Sequence, residues 1–109
     1  MTKQNVDKTF SALSVSTRRY IVKLLADGEA MRVSELAEKF NTTRQAVTKH
    51  LDVLCDAGLV VTERQGRERI SRISETAFDP ILKWLSDYER FWDSKLNDLK
   101  TLIEQEKAQ

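Results

Sequence analysis

A mainly α-helical fold on a single core is what this sequence predicts, and three observations predict it. The 109 residues hold one Pro, three Gly and 32% charged side chains, a composition that suits amphipathic helices better than a sandwich or a barrel. Apolar residues recur at helical spacing in five separate stretches. A single stretch, residues 59 to 74, switches to β-branched residues around a Gly-containing turn. The length leaves room for one modest core and an apolar fraction of 40% suffices to build it, so residues 1–109 read as one domain.

Residues 1 to 4 are polar and expected to be loose, after which Val6, Phe10 and Leu13 predict a short first helix lying on the core. Ser16 or Thr17 can cap a second helix, Thr17 to Asp27, with a stripe of Tyr20, Ile21, Leu24 and Leu25, and Gly28 ends it. Arg18 and Arg19 sit in its first turn, where the helix dipole disfavours a cation. They suit an external anion such as a DNA phosphate, or else a solvated face. Met31-Arg32-Val33 suits a small strand, and Ser34 can cap a two-turn helix carrying Leu36, Ala37 and Phe40.

The stretch from Thr42 to Gly58 is the centre of the chain. Its Thr pair can N-cap a helix and its Gly can take the left-handed position at the far end. A step of about 100° per residue puts Ala46, Val47, His50, Leu51, Leu54 and Ala57 on one side, and Gln45, Thr48, Lys49, Asp52 and Asp56 on the other. The outer N-terminal half therefore offers Arg44, Gln45, Thr48 and Lys49, donors suited to base edges and phosphates. With the short helix before it, this makes a helix-turn-helix over about residues 34–57, whose second helix fits the roughly 12 Å major groove.

Residues 59–74 predict a hairpin, or wing, turning at Gln65-Gly66-Arg67-Glu68. It bears Arg64, Arg67, Arg69 and Arg72, partly offset by Glu63 and Glu68. Such a tip can reach phosphates or the minor groove, though a charged edge also discourages aggregation. Behind a helix-turn-helix the DNA reading is the stronger, because the flanking backbone must pass there.

From Thr76 or Asp79 to about Glu104 the pattern predicts one long helix, with Pro80 in its first turn. Phe78, Ile81, Leu82, Leu85, Tyr88, Trp92, Leu96, Leu99 and Ile103 form one stripe, flanked by Trp84, Phe91 and Leu102. A helix of about 37 Å outruns a small head, so its distal apolar face calls for a partner, most economically the same helix of a second copy. Phe10, Leu85, Tyr88, Trp92, Leu96 and Leu99 are the candidate dimerisation residues. An aromatic stripe is more often core than a ligand pocket.

Charge is unevenly spread although its net value is only +1: residues 32–74 carry eight Lys/Arg against six Asp/Glu, and residues 75–109 five against eight. One Cys and no apolar leader point to a reducing cytoplasm, and no run of about 18 apolar residues predicts a membrane span. Cys55 lies about 140° round the helix from His50, so the two cannot share an ion within one chain, and each reads as a packed residue. A redox-sensing thiol is the sharper reading of Cys55, and a phosphate or intersubunit hydrogen bond that of His50. One His, one Cys and no Gly-rich phosphate loop argue against an enzyme.

With the elements placed, about residues 8 to 104 resemble the ArsR family of small dimeric winged-helix repressors. The resemblance rests on Phe10-Ser11-Ala12-Leu13-Ser14 with Thr17-Arg18-Arg19, on Val33-Ser34-Glu35-Leu36-Ala37, on Gln45 to Leu51, on Leu54 to Val60, and on Gly66-Arg67. Val15-Ser16 stands where the family usually has Asp-Pro. The metal-sensing members carry a Cys-x-Cys pair before the recognition helix or His and carboxylate ligands in the last helix. Here Ser34 to Phe40 has no Cys, and residues 75–109 have neither His nor Cys. The resemblance therefore implies a branch without metal sites or other cofactor, with Arg44, Gln45, Thr48 and Lys49 in the major groove and Arg67 reaching DNA from the wing. It also implies dimerisation through the first and last helices. The expected function is a sequence-specific dimeric regulator, most simply a repressor on a pseudo-palindromic operator, with no effector identified. The alternative is a winged-helix protein-interaction module that uses its aromatic C-terminal helix.

Overall fold

The computed structural model describes residues 6–107, in the order α1 (Val6–Leu13), α2 (Ser16–Asp27), β1 (Met31–Arg32), α3 (Val33–Lys39), α4 (Arg44–Asp56), β2 (Val60–Gln65), β3 (Glu68–Ile73), α5 (Asp79–Ser86) and α6 (Glu89–Lys107). The expectation of a loose start at residues 1 to 4 lies outside this range; the sequence also suggests fraying from Gln105 to Gln109, of which Gln105 to Lys107 instead continue α6 and the last two residues lie outside the described range.

The core forms where the stripes predicted for α2, α3 and α4 converge. Ile21 and Leu25, Leu36, and Val47, Leu51 and Leu54 are buried together with Leu59 and Val60 at the root of the wing. Burying each Leu or Ile side chain stabilises by about 1.5–3 kcal/mol. The first helix joins through Thr9 and Ala12; Phe10, expected on the core face, instead meets the Trp84 ring edge-on at 5.3 Å between centroids. Tyr20 likewise leaves the core and packs edge-on against Phe40.

Both helices of the helix-turn-helix end in the same way. After α3 the chain takes φ = 51° at Asn41 while Thr42 N–H reaches back to Ala37 O at 3.0 Å, and after α4 it takes φ = 78° at Gly58 while Leu59 N–H reaches Leu54 O at 3.0 Å. These left-handed endings satisfy the last carbonyls and redirect the chain sharply. The first sets the angle at which α4 leaves α3, and the second launches β2. Thr43 starts α4 as expected, its Oγ1 accepting from Ala46 N–H at 3.1 Å.

Two helix starts differ from the sequence expectation. Neither Ser16 nor Thr17 caps α2, where Val15 holds the cap position with no side-chain bond; Gly28 ends the helix as expected, with an extended backbone. The α3 helix begins at Val33, two residues earlier than a Ser34 cap would allow, because the Glu35 carboxylate accepts from Arg32 N–H at 2.9 Å. Arg18 and Arg19 do not wait for an anion: Arg18 Nε donates to Ala12 O and Arg19 Nη1 to Leu13 O, each at 2.7 Å. A cation belongs at a helix C-terminus, and these two close the end of α1 while sitting at the start of α2.

The sheet is antiparallel in the order β1-β3-β2. β1 touches β3 only at Met31↔Ser71 and Arg32↔Ile70, whereas β2 and β3 pair from Val60↔Ile73 out to Gln65↔Glu68. Gly66, at φ = 62°, lets the two strands turn within Gly66-Arg67.

The single long C-terminal helix is corrected to two. Asp87 N–H bonds to Trp84 O and Tyr88 N–H to Leu85 O, three residues back instead of four, while Ser86 Oγ donates to Lys83 O at 2.6 Å. Ser and Asp side chains compete with the backbone ladder and favour such a tightened ending. α6 then starts afresh with Trp92 N–H to Tyr88 O and runs 19 residues without burying any. The Cα radius of gyration is 17.8 Å, against about 13 Å for a compact chain of this length, so α6 stands away from the head.

Candidate nucleic-acid interface

The outer face of α4 carries the predicted set in its first two turns. Arg44, Gln45 and Lys49 are exposed and Thr48 is half-buried, while Val47, Leu51 and Leu54 fix the opposite face in the core. A helix anchored on one side by three buried side chains is a rigid carrier for contacts on the other.

The wing places its arginines in three different situations. Arg67 lies in the tip turn and is exposed. Arg64 and Arg69 face each other across the strands, on the side of the hairpin that also carries Thr62 and Ser71 and so looks toward α4. Two like charges opposite each other repel, and the structure relieves this through the recognition helix: Arg69 Nη2 donates to Asp52 Oδ1 at 2.8 Å. Arg72 lies on the other face and pairs with Glu63 at 3.4 Å. The four arginines are thus brought to one hairpin, but only Arg64 and Arg67 are without an ion pair among the described residues. The role of Asp52 escaped the sequence reading; an acid four residues after Thr48, on the stripe that carries the candidate base-reading residues, is the signal that marks it.

Behind the interface, Cys55 is half-buried, with Sγ 3.1 Å from Thr62 Oγ1, which lies 3.3 Å from the buried Ser71 Oγ. This chain of polar contacts ties the root of the wing to α4. His50 is half-buried at the edge of the inner face, as the periodicity indicates, and its Nδ1 is buried without a hydrogen-bond partner. Burial first, and the positive charge of Arg18 second, hold its pKa below the ordinary value of 6.5. The unfolded chain then binds the proton more readily than the folded one, so stability is complete above pH 6.5 and declines as the pH falls below it. Urea midpoints are therefore expected to fall between pH 7.5 and 5.5 in the parent protein by more than in a His50→Gln variant; equal declines would show that other groups carry the acid sensitivity.

Among the described residues, no three His, Cys, Asp or Glu side chains are grouped to hold a metal ion, and no helix is long and apolar enough to cross a membrane. Helices α5 and α6 carry the remaining predicted residues. The Trp84 and Tyr88 rings meet across the break with centroids 5.2 Å apart and planes tilted by 59°, and Trp84, Leu85, Tyr88, Phe91 and Trp92 line an open apolar groove of about 300 Å³. Along α6, Trp92, Leu96, Leu99 and Ile103 remain 41%, 60%, 52% and 45% exposed.

A helix-turn-helix with a basic outer face, followed by an arginine-tipped hairpin rooted on the same helix, defines a winged helix-turn-helix DNA-binding protein. Residues 16–62 match the family described as bacterial regulatory protein, arsR family. The chain is 35% identical over 105 residues to the HTH-type transcriptional regulator Rv2034 of Mycobacterium tuberculosis, covering 96% of this chain and 94% of that protein. It superposes on the crystal structure of an ArsR family transcriptional regulator with a TM-score of 0.73 at 33% identity, covering 86% of this chain and 98% of the other. A homodimeric winged helix-turn-helix DNA-binding domain from Mycobacterium bovis, solved by NMR, aligns with a TM-score of 0.60 at 25% identity, over 81% of this chain and 78% of that one. The chain belongs to the ArsR family of transcriptional regulators. It is a DNA-binding regulator and not an enzyme.

Proposed function

We propose that the chain works as a homodimeric repressor on a pseudo-palindromic operator, with residues 1–109 acting as one unit in the cytoplasm. The observation that carries this reading is the exposure of Arg44, Gln45 and Lys49 on α4, the helix to which the arginine-bearing wing is tied through the contacts of Asp52 with Arg69 and of Cys55 with Thr62. Gln45 and Thr48 read base edges, Arg44 and Lys49 reach bases or phosphates, and Arg64 and Arg67 clamp the backbone beside them.

The dimer is supported by α6, a helix whose stripe of Trp92, Leu96, Leu99 and Ile103 is left unburied by the described residues. Phe10, Leu85 and Tyr88 extend that surface to the first and fifth helices, and Trp92, Leu96 and Leu99 continue it outward. The M. bovis domain is homodimeric, which favours the same arrangement here. Repression needs only that an occupied site exclude other proteins, whereas activation needs an additional contact surface. Selection from a random duplex pool is expected to enrich two inverted half-sites whose centres lie about one helical turn, 10–10.5 base pairs, or a multiple of it apart. A pool that yields no motif, or only single unpaired half-sites, would rule the operator model out.

A further inference from the structure

The outer side of α4 carries two acids, Asp56 at its very end and Asp52 beside the residues assigned to the groove, where phosphate should repel it. Asp52 falls seven residues after Gln45 and four after Thr48, on the same exposed stripe as the residues assigned above to the groove. An exposed ion pair contributes little to global stability, and this one is open to solvent, with side chains 30% and 62% exposed at Arg69 and Asp52. Stability therefore does not explain an acid in this position. Geometry does.

The root of the hairpin is held in several ways. Leu59, Val60 and Ser71 are buried, Thr62 meets Cys55, and β1 pairs with β3 at Ser71 and Ile70. Past Ile70 the third strand is gone, and residues 64 to 69 form a two-stranded ribbon, an arrangement that is marginal when unsupported. Among the described residues, one polar side-chain contact joins this outer ribbon to the body, and it is Asp52 Oδ1 to Arg69 Nη2 at 2.8 Å. It spans from the second half of α4 to the strand leading out of the tip.

We propose that Asp52 and Arg69 are positioning residues that set the angle between the wing and the recognition helix, and that the pairing keeps Arg69 off the DNA. The wing's backbone contacts then fall to Arg67 and Arg64, in place of the DNA-contacting role that the sequence suggested for Arg69. The inference rests on the DNA-binding reading of α4 for its consequence, but the strut itself is a property of the free protein. Removing Asp52 takes a negative charge from the DNA-facing side, so Asp52→Asn raises affinity for unrelated duplex while lowering discrimination, a split that simple damage to the fold does not produce.

The test has two arms, using Asp52→Asn, Arg69→Met and the double variant in the full chain. In the free protein, amide order parameters at Gln65, Gly66 and Arg67 are expected to drop from the rigid range near 0.85 toward about 0.6 in each variant. Amides of α2 and α4 should stay unchanged and report that the fold is intact. On the duplex selected by the parent protein, the ratio of specific to non-specific affinity is expected to fall by about fivefold in each single variant and no further in the double, because the two residues act as one unit. The slope of log affinity against log salt should be the same for Arg69→Met as for the parent.

A slope shallower by about 1.8, two lost phosphate contacts per dimer, together with normal discrimination in Asp52→Asn, would make Arg69 a phosphate ligand and overturn the proposal. Unchanged order parameters at the tip in both single variants would overturn it as well. If the parent protein selected no duplex at all, the DNA-binding reading would fall, and the relaxation arm would still decide whether the strut exists.

Discussion

Replacing Trp92 and Leu96 together by glutamate is expected to turn the protein into a folded 12.6 kDa monomer that no longer holds the full palindrome. Each large apolar side chain covered by a partner contributes about 1.5–3 kcal/mol, and a two-fold interface counts each residue twice. Two charges in the middle of that surface would remain wet or be buried unpaired, and either outcome exceeds what the rest of the face supplies. The head should survive, because α6 contributes no buried residue to its core. Since a dimer gains affinity by engaging both half-sites at once, at least about a hundredfold should be lost on the full site while binding to one half-site persists. Sedimentation and titration of full and half duplexes provide the check. A soluble monomer that bound the full palindrome as tightly as the parent would refute the dimer.

Raising salt from 50 to 200 mM should weaken operator binding by about ten-thousandfold. Arg44, Lys49, Arg64 and Arg67 give about eight phosphate-reaching cations per dimer, and each adds about 0.9 to the slope of log affinity against log salt. Arg67→Ala should make the slope shallower by about 1.8 and weaken all sequences evenly. Gln45→Ala should leave the slope alone and cost about 1–3 kcal/mol of discrimination at one base position of each half-site. If Arg67→Ala changed the preferred motif instead, the wing would be reading bases and the division of roles would be wrong.

The recognition helix was legible because its information is local. Thr43 and Gly58 bracket it, and the sidedness of thirteen consecutive residues separates Val47, Leu51 and Leu54 from Gln45 and Lys49. The wing was legible for the same reason, from β-branched residues on either side of Gly66. What escaped the sequence depends on contacts between elements. Arg18 and Arg19 find acceptors six residues back in a different helix, and nothing in their own turn announces this. Asp52 and Arg69 are 17 residues apart on a helix and a strand. The break after Ser86 has neither Pro nor Gly to mark it, and the apolar stripe runs across it without interruption, so periodicity joined two helices that the backbone separates.

That break makes Asp87-Tyr88 the joint of a pair of calipers. The head hangs on one arm, and the other arm, α6, is about 28 Å long. At that radius a change of about 10° in the joint carries the far end through about 5 Å, more than the 3.4 Å rise of a base pair. On the proposed dimer, two heads mounted on paired α6 helices would each swing through such an arc, and the gap between half-sites would be set by the pitch of two exposed residues outside the core.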